Sequence, residues 1–316
     1  MIMQIPYNNA KLSRLGIIFL LNLLLATVSY LSAQDNPLQV IYLFPETPAL
    51  PRETVKELRR LTAVELDMQG NIFLTDSRKN RVIKLDSQYR IQKFTAGWGT
   101  ENEFLDNPAD LALDAGLNLL VADYYNGRIV RYDRNLNFLS DLQLKNLHPD
   151  FEYPLSLTLS GWGDIYVLEE KNGRVLQIQL AGNLASEFGG FSTGEYSLSG
   201  SSKIAAADNG NIYAALPLSN EIAVYDRYGN HLHRLQTAIT PQTVECAEGI
   251  TWYGGKEGIG ALKGDQIVHL EFMNESTGAF AVKDIAAARG KILLLLDKDS
   301  ELRTYRLSKS PAKIQW

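Results

Sequence analysis

The stretch Asn118-Leu119-Leu120-Val121-Ala122-Asp123-Tyr124-Tyr125-Asn126-Gly127-Arg128-Ile129-Val130-Arg131-Tyr132-Asp133 reads as two short strands joined by a polar turn. Aliphatic and β-branched residues fill each half and Asn, Gly and Asp bound them, the composition of a hairpin. An earlier stretch repeats it: Asn71-Ile72-Phe73-Leu74-Thr75-Asp76, a turn, then Arg81-Val82-Ile83-Lys84-Leu85-Asp86. Asp76 and Asp123 stand 47 residues apart, and so do Arg81 and Arg128. A third copy runs Asp164-Ile165-Tyr166-Val167-Leu168-Glu169 to Arg174-Val175, and a fourth Asn211-Ile212-Tyr213-Ala214-Ala215 to Glu221-Ile222. Strand-built units at this spacing are the signature of a radial array.

Working outward, inner strands are expected at Thr62–Leu66, Ala109–Leu113, Leu155–Leu159, Lys203–Ala207, Glu248–Trp252 and Asp284–Ala288. Gly70, Gly116, Gly163, Gly210, Gly258 and Gly290 fall in the turns that follow, where a positive φ costs glycine little. Third strands are expected at Val82–Leu85, Ile129–Tyr132, Val175–Ile178, Ile222–Tyr225, Ile267–Leu270 and Leu302–Leu307. More polar outer strands fit Ile91–Phe94, Phe138–Leu142, Leu184–Phe188 and His231–Leu235. The fold class is therefore all-β: a six-bladed β-propeller of four-stranded antiparallel blades, one domain over residues 38–316. The last unit lacks a fourth strand, and Leu38–Phe44 is a strand without another partner. It is expected to complete that unit and close the ring, followed by a helical turn or two within Arg52–Leu61.

The wording from Leu119 to Asp133 resembles the NHL repeat, in which a Tyr-Val-Ala-Asp string is followed by Asn-x-Arg-Val and Phe-Asp. Gly97-Trp98-Gly99, Phe104, Asn107-Pro108 and Leu111-Ala112-Leu113-Asp114 match the connector that leads into such a repeat. The resemblance spans about residues 60 to 307. It departs from the pattern in the fifth unit, which lacks the Asp and Arg, and in the sixth, where Glu301 stands at the Arg position. It implies a propeller. Enzymes of similar fold, lactonases and a lyase of peptide amidation, use metal-binding side chains around the central channel.

The chain has 316 residues, is 45% hydrophobic and 21% charged, and carries a formal charge of -5. No basic stripe gathers enough Lys and Arg to neutralise phosphates, so no nucleic acid partner is expected. Lys11 and Arg14 precede an uncharged run of 14 residues, Leu15–Val28, and small residues lead to Ala33. These are the parts of a signal peptide over residues 1–33, cleaved after Ala33, with an uncleaved membrane anchor as the alternative. The mature chain is then periplasmic or secreted and has no integral membrane domain. Cys246 is the one cysteine, so no disulfide forms within the chain. Its bland role is a small buried side chain.

Asp76, Asp123 and Glu169 each stand five residues before Arg81, Arg128 and Arg174. Repetition favours a turn-fastening ion pair over a catalytic one, since one active site does not need three copies. His231 and His233 share a strand face but sit on an outer strand, away from the axis. The tentative ligand-binding residues at the mouth of the propeller are Arg78, Trp98, Asp110, Tyr124, Tyr125, Glu170, Tyr196 and Glu248, with Tyr153 also in these connections. No cofactor is predicted. Asp110, Glu248 and Asp284 are weak candidates for a divalent cation. The resulting expectation is a non-catalytic, extracytoplasmic binding or scaffold module that takes a protein or small ligand at the mouth. The rival is a metal-assisted lyase or lactonase working in the channel.

Overall fold

The structure, a computed structural model, describes residues 39–46, 50–58, 60–179, 181–190, 196–273, 280–296 and 301–310. The expected signal peptide over residues 1–33, five residues of the glycine- and serine-rich loop (191–195) and Asp297 lie outside the described residues. The backbone is built of β-strands. Four separate four-stranded antiparallel sheets follow in order: Leu61–Leu66, Ile72–Asp76, Arg81–Leu85 and Ile91–Phe94 (β2 to β5); Pro108–Leu113, Leu119–Asp123, Arg128–Tyr132 and Phe138–Gln143 (β6 to β9); Pro154–Leu159, Ile165–Glu169, Arg174–Ile178 and Leu184–Gly189 (β10 to β13); and Lys203–Ala206, Ile212–Leu216, Glu221–Tyr225 and His231–Gln236 (β14 to β17).

The remaining strands share one eight-stranded sheet. Thr243–Ala247, Ile250–Gly255, Gly258–Lys263 and Gln266–Phe272 (β18 to β21) form one side of it; Val282–Ala288, Lys291–Leu296 and Leu302–Ser308 (β22 to β24) form the other. Between them lies Val40–Pro45 (β1), antiparallel to β24 with Leu43 opposite Leu307, and parallel to β21 with Ile41 opposite Leu270. Glu46, at the end of β1, holds Lys291 at 2.9 Å and pairs with Arg306. Pro51 then opens a short helix, Arg52–Glu57, whose Thr54 hydroxyl donates to the Tyr89 carbonyl at 2.8 Å.

The second strands show why the sheets must stack face to face. Ile72–Asp76, Leu119–Asp123 and Ile212–Leu216 are buried at every position, so both faces need apolar cover. Each neighbouring sheet supplies it. Ala63, Phe73 and Val82 pack with Leu111, Val121 and Val130, and Ala122 and Ile129 pack with Leu157, Val167 and Leu176. The series returns on itself, because Leu74 and Ile83 pack with Ala286, Leu293 and Leu302. Each fully buried aliphatic side chain here contributes about 1.5–3 kcal/mol. The first strands β2, β6, β10, β14, β18 and β22 succeed one another around the axis, with β22 back beside β2. The outer strands β5, β9 and β13 hold only half-buried and exposed positions, as edges facing water do.

Strand placement follows expectation except in β18 to β21. The first strand there is Thr243–Ala247, and Glu248–Gly249 is the turn after it rather than the start of the strand. Gly258 consequently lies at the second-to-third turn, and Ile267–Leu270 is part of the outer strand. The misreading came from the missing Asp and Arg markers. In the β6–β7 turn the left-handed residue is Leu117 (φ 63°), not Gly116.

The carboxylate–Arg pairs fasten turns. Arg128 is buried, with Nε 2.8 Å from Asp123 Oδ2 and Nη2 donating to the carbonyls of Glu101 and Phe104. Asp123 also accepts from the Asp106 N–H and the Asn126 amide, so one buried carboxylate is fully used. The Asp76–Arg81 and Glu169–Arg174 pairs are looser, at 3.6 and 3.9 Å.

Candidate functional site

The first strands build the centre. Aligned on their buried aliphatic residues Val64, Leu111, Leu157, Ile204, Val244 and Ile285, the preceding position holds Ala63, Asp110, Ser156, Lys203, Thr243 and Asp284. Register shifts in β6, β10 and β22 fall at this height, between Pro108 and Asp110, Pro154 and Ser156, and Val282 and Asp284. Bulges of this kind re-aim a side chain. Here they accompany side chains that reach across to neighbouring sheets.

Lys203 Nζ lies 2.5 Å from Asp110 Oδ1 and 3.1 Å from Asp284 Oδ1. The rest of each carboxylate is also used. Asp110 Oδ2 accepts from the Ser156 hydroxyl at 2.7 Å and the Leu157 N–H at 2.9 Å. Asp284 accepts from the Thr243 hydroxyl at 2.7 Å and the Val64 N–H at 2.9 Å. Burial works against the Lys203 ammonium, but Asp110 and Asp284 outweigh it and hold its pKa above the ordinary range. Burial pushes Asp284 up, with Lys203 opposing.

This ion triad stands between two chambers. On the side of the second-to-third turns, a cavity of about 360 Å³ is lined by Asp110, Tyr124, Tyr125, Glu170, Lys203 and Asp284 among others. The Tyr124 ring stacks on Tyr153 at 5.2 Å and meets Tyr125 edge-on at 5.0 Å. Its hydroxyl donates to Glu170, and burial together with that bond raises its pKa. Tyr125 is 62% exposed, but its backbone N–H is held by the Asp106 carbonyl at 3.1 Å.

On the other side a cavity of about 520 Å³ is lined by Glu65, Lys203, Cys246, Glu245 and the turns near Asp114 and Ser160. Glu65 and Glu245 occupy the position after the aligned aliphatic residue, on the same strand face as the triad. Burial pushes the Glu65 carboxyl up to about 7, although the Leu66 N–H and Lys203 pull against it. Burial, then the Glu65 charge, raises Glu245 well above the carboxylate range. Burial also raises the Cys246 thiol, which is therefore protonated and a poor nucleophile.

Of the residues expected at the mouth, Asp110, Tyr124, Tyr125 and Glu170 line one cavity. The other four do not line it. Arg78 sits in the β3–β4 turn with its N–H on Asp76. Trp98 is 69% exposed on a connector bridged to Leu105. The Tyr196 ring leans on His231 of an outer strand. Glu248 is exposed on the β18–β19 turn and accepts the Gly290 N–H at 2.7 Å, because the first strand ends before it. Glu248 therefore does not join Asp110 and Asp284, and between those two the cation is an ammonium. Among the described residues no three His, Cys, Asp or Glu side chains are grouped to hold a metal ion. His233 meets Asp265 at 3.1 Å, whereas His231 faces Tyr225 and Tyr196.

Lys203, Glu65 and Glu245 were not anticipated. Their signal is the column of inward positions shared by the six first strands, and in the fifth unit, which lacks the Asp and Arg markers, Thr243 and Glu245 stand in that column without a motif to mark it.

Residues 105–132 match the family model of the NHL repeat. No curated protein matches the chain by sequence. Among solved structures, the chain is similar to virginiamycin B lyase from Staphylococcus aureus, with a TM-score of 0.58 and 14% identity over 78% of this chain and 80% of that one. It is similar to a streptogramin B lyase at the same score and identity, over 85% of this chain and 98% of that one. The WD40 domain of Neurospora crassa Pan2 follows with a TM-score of 0.55 and 12% identity, over 81% and 76%. The chain thus carries an NHL repeat and is a β-propeller. Identities this low extend the likeness to fold alone.

Proposed function

We propose that this propeller is a non-catalytic binding module that takes its ligand or partner at the chamber of Tyr124, Tyr125 and Glu170. The observation that supports this most is Lys203. Its ammonium sits between Asp110 and Asp284, the carboxylates a channel metal would need, and hydrogen bonds occupy their remaining oxygens. A propeller fold hosts enzymes and adaptors alike, so the side chains of the site have to carry the choice. We read the eight-stranded sheet as two blades joined edge to edge by β1, which makes six blades in all. In this reading β1 covers two sheet edges that would otherwise recruit other chains. We also propose that the chain is exported after cleavage at Ala33 and works in the periplasm or outside the cell. No helix among the described residues is long and apolar enough to cross a membrane.

The second reading, an enzyme of lyase or lactonase type, draws on the opposite chamber. A carboxyl raised to about 7 beside a second raised carboxyl suits proton transfer near neutrality. Ligand-binding assays separate the two. The first reading expects Tyr124→Ala with Tyr125→Ala to abolish binding and Glu65→Gln to leave it intact. A turnover lost in Glu65→Gln and indifferent to the tyrosines would contradict it.

A further inference from the structure

The mouth chamber also carries information about what it binds, and the following argument rests on the mouth-face reading above. Three cations, Arg60, Lys203 and Lys283, and three carboxylates, Asp110, Glu170 and Asp284, line it, so it has no net formal charge. Lys203 is committed to Asp110 and Asp284, and Glu170 accepts from the Tyr124 hydroxyl. A ligand of strong net charge would meet as many like charges as opposite ones, and would compete with these bonds at Lys203 and Glu170. A different set of groups is left open. The side-chain amides of Asn107 and Gln242, which also line the chamber, have no hydrogen-bond partner among the described residues. Each amide offers donors and an acceptor together.

The backbone under these groups is fixed. The Asn107 N–H donates to Asn80 Oδ1 at 2.8 Å, and its φ is 57°. The Gln242 N–H donates to the Gly254 carbonyl at 2.7 Å, and its carbonyl accepts from the Ser202 hydroxyl at 2.7 Å. Tyr125 is held by the Asp106 carbonyl, and its ring is largely exposed. Groups placed in advance lose little freedom on binding.

We infer that the chamber binds a neutral carbohydrate, one unit of a hexose or N-acetylhexosamine chain, with its apolar face on Tyr125 and its hydroxyls on Asn107 and Gln242. An aromatic ring carries negative charge on its face, which suits the weakly positive C–H bonds of a pyranose. Amides that donate and accept suit hydroxyls that do the same. The volume, about 360 Å³, falls within the range of about 300–1,000 Å³ typical of small-molecule sites.

The test is an array carrying neutral hexose and N-acetylhexosamine oligosaccharides, sialylated and sulfated glycans, and acidic and basic peptides, probed with the full chain. Neutral glycans should be retained, about tenfold or more weakly by Tyr125→Ala and by Gln242→Ala. Tyr228→Ala, exposed on the β16–β17 turn, should bind as the parent does. Tyr125 and Gln242 contribute no core packing, and unchanged melting would show that both variants fold. Retention of charged glycans or peptides alone, still dependent on Tyr125, would overturn the carbohydrate assignment and leave the mouth-face reading standing. Neutral-glycan binding indifferent to Tyr125→Ala would overturn both. Silence across the array would overturn the assignment.

Discussion

The two chambers share Lys203 and treat charge in opposite ways. On the mouth side Asp110 and Asp284 hold the ammonium and Glu170 is capped by a phenol, and the lining, with Arg60 and Lys283, balances three cations against three carboxylates around aromatic and amide surface. On the far side burial raises Glu65 and Glu245, Glu245 further through the Glu65 charge, against the field of the same lysine and, at Glu65, the Leu66 N–H. One cation serves four carboxylates. It touches the near pair and acts on the far pair only through the field, where burial favours the protonated carboxyls. The difference shows how a single inward lysine can help make one end of a channel a charge-balanced polar pocket while the other end favours bound protons.

Removing that lysine should have the largest effect. Lys203→Met leaves two carboxylates buried at the axis without their cation, and urea unfolding should show a loss of about 3–5 kcal/mol. A loss below about 1 kcal/mol would mean that water already screens the triad, and the contrast between chambers would collapse.

The pH dependence comes next. In the unfolded chain Glu65 titrates near its ordinary 4.5, and in the fold near 7. Below the lower value both states hold the proton and its stabilisation is complete. Between the two values the unfolded chain has released the proton and the fold has kept it, so stability falls as pH rises through this window. The fall is on the order of 3 kcal/mol, and Glu245, raised in the same direction, extends it upward. Urea midpoints at intervals of pH should show this slope, and Glu65→Gln should flatten it. An unchanged slope in that variant would assign the effect to Glu245 or Asp284 instead.

The mouth side should respond least. Tyr124→Phe removes one hydroxyl from an exposed carboxylate, and the expected loss is about 0.5–1 kcal/mol by thermal unfolding. A larger loss would show that the tyrosine cluster is part of the core rather than a platform.

These features were unequally legible. The hairpin from Leu119 to Asp133, with its copies, was readable because strand pairing is local and its markers recur. Tyr124 and Tyr125 were readable as turn residues for the same reason. Lys203 was not, since a lysine at the start of a strand ordinarily points to water. Its meaning depends on Asp110, 93 residues before it, and Asp284, 81 after. Glu245 was hidden by a different cause. The fifth unit dropped the Asp and Arg that mark the others, so its first strand was placed late and Glu248 took a role that its exposed turn position cannot fill.

Metal analysis tests the central claim most directly. The full chain, purified without chelator and dialysed against calcium and zinc, should retain neither stoichiometrically, and Asp110→Asn should retain the same amount as the parent. One equivalent of calcium or zinc per chain, lost in Asp110→Asn, would mean that Lys203 yields its place to a metal, and the binding-module account would fall.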